Sequence, residues 1–238
     1  MSLSRLASAL YALLLLSALN SSHGNLAPIP NGATIVEKSE HHRTVQTADG
    51  KAYTEVAGFM FYKDPETGGL KEAKEQIEIF EGAAAALQGA HRVLWTANCN
   101  EPDGAASQET PCGRTLNSRV MGISYYSALT GQSVLIAQLK DSQGIVVGDQ
   151  TVLYPDCLDS VNCTLVYVYK RDSLEQFLSL KQRLPDPLLW QLGEEGLQVQ
   201  VWTEMISPEQ PRLTPMSCGA RRTWPNAPPW LPPTSLTS

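Results

Sequence analysis

Between residues 118 and 170 the chain repeats one pattern, short apolar runs alternating with period two and cut by turn-forming clusters. SRVMGISYY, QSVLIAQL, GIVVG and TVLY are separated by ALTG, KDSQ and GDQ. In NCTLVYVYK the same period sets Leu165, Tyr167 and Tyr169 on one face and Val166 and Val168 on the other. Successive side chains of a strand point to opposite faces, so this pattern is compatible with strands and not with helices.

The flanking sequence agrees. Asp49-Gly50 is a two-residue turn signal between residues 42–48 and 51–58, which read as a hairpin. GFMFY at 58–62 ends at the turn cluster KDPETGG, and QIEIF at 76–80 alternates again. Ala83 to Leu87 has helical propensity, but Gly82 and Gly89 bracket it too closely, and the stretch through Cys99 is expected to form two strands. NEPDGAASQETPCG reads as a polar loop. SLEQFLSLK fits either period and is assigned to a strand from context. Asp186-Pro187 pairs an N-cap residue with a first-turn proline and predicts a short helical turn, and LQVQVWTEM is a last alternating strand. Roughly ten to twelve short strands without a helix-length periodic run predict an all-β antiparallel sandwich with short turns.

The ends differ from this middle. Arg5, an apolar run from Leu6 to Leu19, and small residues at Ser22 and Gly24 have the order of a secretory signal. Its apolar run is too short for the ~20 residues that span a bilayer. Residues 1–24 are therefore expected to be a cleaved signal peptide, with the protein secreted, periplasmic or held at the cell surface. Residues 25–40 read as an extended segment and 41–206 as the sandwich domain. Eight prolines between Pro208 and Pro233 predict a disordered tail over 207–238. No later stretch reaches ~18 apolar residues, so no membrane span is expected after signal cleavage. Losing Arg5 with the signal takes the formal net charge from −6 to −7. An acidic domain repels phosphate backbones, which excludes nucleic acid as the expected partner and leaves protein or glycan at the cell surface.

All five cysteines follow residue 24. In an oxidising compartment local pairs are the economical reading: Cys99 with Cys112 and Cys157 with Cys163, each contributing about 2–3 kcal/mol. Other pairings remain open, and Cys218 is left over.

Several blocks carry a resemblance: GAAAALQGAHRVLWTANCN, RVMGISYYSALTGQSVLIAQLKDSQG, QTVLYPDC, LVYVYK and LQVQVWTEM. In this order they resemble a β-rich N-terminal module of large secreted, repeat-containing, Rhs-like surface proteins of environmental bacteria. The resemblance covers roughly residues 80–206. It implies a bacterial exported protein with a sandwich-like fold and transfers no active site. The chain departs from that pattern in carrying no repeat region after the module, which implies a stand-alone paralogue or a relative whose Pro-rich end is a former linker.

Site signals are few. There is no G-x-S-x-G elbow and no H-E-x-x-H helix. His41 and His42 are neighbours and would point to opposite faces of a strand, and His91 reads as a rim residue. Asp156, Asp159 and Asn162 recur every three residues with Asp149 upstream, an oxygen-rich loop that would suit calcium, the one cofactor the sequence suggests. Asx turns explain the same loop. Tyr125, Tyr126 and Trp190 are candidates for stacking against a ligand, whereas Trp95 and Trp202 read as core or cross-strand partners. The expectation is a non-catalytic exported module with a structural or interaction role at or beyond the cell envelope. A carbohydrate-binding domain, with or without calcium, is the alternative, and a hydrolase the least supported.

Overall fold

The computed structural model describes residues 26–206; the expected signal peptide, the expected Pro-rich tail over 207–238 and Cys218 lie outside the described residues. The described chain is all-β and antiparallel, with one 3₁₀ turn. None of its helices is long and apolar enough to cross a membrane.

β1 (Thr34–Lys38), β2 (His42–Gln46) and β3 (Ala52–Val56) form a three-stranded sheet. β2 and β3 are the hairpin expected around Asp49-Gly50; Gly50 has a φ of 84°, the left-handed region that glycine enters at little cost. β1 lies within the segment read as a lead-in, so that segment contributes a paired strand. Arg43 is buried on β2 and ion-paired with Glu55 on β3 at 2.6 Å. A two-stranded ribbon follows, β4 (Phe61–Lys63) with β5 (Leu70–Glu72).

The larger sheet runs through β6 (Glu78–Phe80), β7 (Ala83–Ala86), β8 (Arg92–Thr96), β9 (Ala106–Glu109), β10 (Thr115–Ser127) and β11 (Ser133–Gln138), each paired with the next. β9 falls inside the stretch read as a polar loop, and it bridges β8 to β10. The second sheet is β12 (Ile145–Val147), β13 (Thr151–Tyr154), β14 (Cys163–Tyr169) and β15 (Leu174–Leu180) in sequential order. A 3₁₀ turn at Pro187–Trp190 is capped by the Asp186 side chain, which accepts from the Leu188 N–H at 2.9 Å, as the Asp-Pro pair predicts. β16 (Leu197–Met205) then returns to the first sheet beside β10.

β10 is thirteen residues long and holds that sheet together. β16 lines one flank from Ser118 to Ser127, while the other flank is shared by β9 (residues 115–118) and β11 (residues 122–126). Irregularities in register at residues 120–122 and 123–124 accommodate this handover. Gly122 sits there because any Cβ would collide with the Ala137 carbonyl.

The inward faces of the two sheets make one core. Val93, Trp95, Ala106, Val120, Ile123 and Tyr125 of the first sheet meet Val152, Tyr154, Leu165, Tyr167 and Tyr169 of the second. Fully burying apolar side chains of this kind contributes roughly 1.5–3 kcal/mol each. The aromatic centre packs edge to face: Tyr154 and Tyr167 at 6.2 Å between centroids, Trp95 and Tyr169 at 6.4 Å. The Tyr154 hydroxyl donates to the Thr96 carbonyl at 2.7 Å and the Tyr169 hydroxyl to the His91 carbonyl at 2.8 Å. The Tyr167 hydroxyl, equally buried, has no hydrogen-bond partner. At the edge of the sandwich the Gln176 amide of β15 donates to Thr203 of β16 at 3.1 Å.

Candidate functional site

The residues singled out as a calcium loop do not converge. Asp156 lies at a left-handed backbone position with φ 49° and pairs with Lys140 at 2.9 Å. Asp159 accepts the Gln138 N–H at 2.9 Å, which holds its carboxyl below the usual range. Asn162 tethers the loop through its carbonyl, which takes the Lys181 N–H. Asp149 stands beyond the other end of β13, a four-residue strand about 13 Å long. Among the described residues no group of three or more His, Cys, Asp or Glu is arranged to hold a metal. The carboxylates here fold the loop.

The expected disulfides are corrected as well. Cys99, Cys157 and Cys163 are buried thiols and Cys112 an exposed one, with neither expected pair at bonding distance. Cys99 closes β8 against the core, where its thiol faces the Lys140 carbonyl at 3.3 Å and burial pushes its pKa up to about 12. Cys112 occupies the exposed turn between β9 and β10, 3.1 Å from the Thr110 hydroxyl, so a paired hairpin separates it from Cys99. Cys157 and Cys163 are neighbours through the backbone, the N–H of the first bonded to the carbonyl of the second at 3.0 Å. The Cys157 sulfur contacts that same carbonyl at 3.6 Å.

Of the stacking candidates, Tyr125 is core, 4% exposed, with its hydroxyl donating to the Pro185 carbonyl at 2.7 Å. Trp190 is half-buried and packs edge-on against it at 6.1 Å. Tyr126, also half-buried, alternates to the opposite face of β10, pairs with Ser133 and Gln198, and does not join them. His91 is buried and not at a rim. Its Nε2 donates to the Lys170 carbonyl at 2.8 Å and its Nδ1 accepts from the Gln108 amide at 3.2 Å. Both ring nitrogens are thus committed in the neutral form, and burial lowers the pKa. His41 and His42 have separate partners, the Phe59 N–H for one and the Ser39 hydroxyl for the other.

A concave feature lies where the sequence pointed least. On the outer face of the larger sheet a groove of about 570 Å³ crosses β11, β10 and β16. Trp202, Met121 and Leu135 give it an apolar surface; Asn100, Arg119, Ser133 and Gln138 stand around them. Trp202 is 51% exposed. It pairs with Gly122 on β10, and its indole N–H donates to the buried Ser124 hydroxyl at 2.7 Å, reaching back across β10. Arg119 is held by Glu204 on the neighbouring strand at 2.9 Å, so its charge is compensated at the rim. Beside the groove the Asn98 and Asn100 amides both donate to Asp141 at 3.1 Å, holding its carboxyl below the usual range. Arg119 is the one ionisable side chain among the residues that line the groove. The arrangement can bind through an indole face and neutral polar groups, and it offers no base next to a nucleophile.

The signal for Trp202 was present in its parity. It shares a face with Gln198 and Gln200, and a Trp among glutamines on an alternating strand points outward. Val199 and Val201, of inward parity, are themselves about half exposed because β16 pairs with β10 alone at the margin of the sheet. No protein-family model, no curated protein and no solved structure matches this chain in comparison with known proteins.

Proposed function

We propose that this chain is an exported, non-catalytic β-sandwich module with an interaction role at or beyond the cell envelope, and that the Trp202 groove is its contact surface. One observation carries the reading: a half-exposed tryptophan anchored by its N–H on the outer face of a sheet, inside a groove. Large aromatic side chains fixed at a surface are the residues on which binding energy concentrates. The charge-compensated rim and the single ionisable lining residue support binding rather than turnover. Export rests on residues 1–24, and the placement among Rhs-like surface proteins rests on the ordered blocks over residues 80–206.

The test is retention of labelled, purified protein on envelope material from the producing cells, with and without Trp202→Ala. Saturable retention lost in the variant supports the reading. Retention that ignores the substitution, or turnover of a substrate that survives repurification and disappears on changing a single side chain, refutes it. N-terminal sequencing of protein from the medium, expected to start at Asn25, tests export separately.

A further inference from the structure

Resting on that reading, we infer that the groove takes a neutral oligosaccharide, with Trp202 as the platform on which one sugar ring stacks. Three features of the groove select this chemistry. The first is the pose of the indole. With Nε1 committed to Ser124 the ring is drawn toward β10, and about half of the residue stays in solvent, so part of the indole is open to a ligand. The electron-rich face of an indole is complementary to the weakly positive C–H face of a pyranose.

The second is the extent of the apolar surface. Trp202 on β16 and Leu135 on β11 stand on either side of β10, about 10 Å apart at the usual strand spacing, with Met121 on the middle strand. That width accommodates more than one ring, which favours an oligomer over a free monosaccharide. The third is the rim. The Ser133 hydroxyl and the Gln138 side-chain amide engage no partner among the described residues and offer donors and acceptors to ring hydroxyls. Arg119 is compensated by Glu204, so an anionic ligand would have to displace that carboxylate. An extended peptide adding to the sheet would have to pair at the outer edge of β11 or β16 and not within the groove, because the backbone of β10 is already paired on both flanks. A purely aliphatic ligand would leave the polar rim unmatched.

The experiment is calorimetric titration of the purified protein, expressed from the full chain, with neutral oligosaccharides built from glucose, mannose, galactose or N-acetylglucosamine. Saturable binding of at least one series, tighter for longer members, is expected. Trp202→Ala should weaken it about tenfold or more, Trp202→Phe should restore part of the loss, and Phe177→Ala on the opposite sheet should leave it unchanged. No binding by any member, binding indifferent to Trp202→Ala, or displacement by an acidic polysaccharide with steep salt dependence would overturn the assignment. Envelope retention that depends on Trp202 while every neutral sugar is silent would discard the sugar and keep the interaction reading. Loss of both would discard both.

Discussion

Three tyrosines in the core make a matched set for measuring what a buried hydroxyl is worth in this fold. Tyr154 and Tyr169 each donate to a backbone carbonyl, of Thr96 and His91, at 2.7 and 2.8 Å. Tyr167 lies between them in the same aromatic cluster with its hydroxyl unpaired. Burial pushes all three phenols well above their ordinary range, so none ionises near neutrality. Replacing each by Phe removes one oxygen and little else. In Tyr154→Phe and Tyr169→Phe a buried carbonyl loses its donor, at a cost of about 1–3 kcal/mol. In Tyr167→Phe a desolvated hydroxyl disappears with no partner to disappoint, so stability should be unchanged or rise by about 1 kcal/mol. Urea unfolding followed by circular dichroism reads the difference, with an unchanged m-value confirming that the unfolded states are alike. In a domain of this size each kcal/mol moves Tm by about 2–4 °C. The reasoning fails if Tyr167→Phe is destabilised as much as Tyr169→Phe, because that hydroxyl would then be engaged.

Two further outcomes follow from buried groups. In a Cys218→Ser background a thiol reagent should modify Cys112 rapidly in the native protein; Cys99, with a pKa raised to about 12, and the buried Cys157 and Cys163 should react only on unfolding. Rapid native reaction of more than one thiol would contradict the packing. His91 has a folded pKa below its ordinary 6.5, so between those two values the unfolded chain binds the extra proton. Its contribution to stability is complete above pH 6.5 and is lost as the pH falls toward the folded value; His91→Gln should flatten that part of the profile, measured as urea midpoint against pH, and an identical slope would refute it.

The strands were legible because their period is local. Alternation in NCTLVYVYK gave both faces of β14, and Asp186-Pro187 gave the capped turn, since cap chemistry needs only neighbours. β9 was not legible: ASQE is polar and short, and it is a strand because β8 and β10 bond to it on either side. The carboxylates after β13 looked like a ligand set because spacing along a chain does not reveal that Lys140 and the Gln138 N–H already occupy two of them. The Cys99–Cys112 pair failed for a related reason: loop length made the two look close, whereas a hairpin carries Cys112 away from the core. Cys157 and Cys163 do lie side by side, as two thiols. Trp202 was half legible. Its parity was readable, but the groove around it needs β11, and the bare Gly122 opposite it belongs to a strand far away in sequence.

That separation bears on the order in which the molecule can be assembled. Ser124 and Trp202 are 78 residues apart, yet they sit on adjacent strands that share the longest ladder in the domain. A chain that has emerged only as far as β15, from the ribosome or from an export channel, presents β10 with one flank bare, an open template for other unfinished chains. Closing so distant a pair is slow, and it waits for the final strand. The larger sheet is therefore sealed by the last of the described strands to be made, so a polypeptide truncated before Leu197 is expected to aggregate instead of folding into a smaller version of the same sandwich.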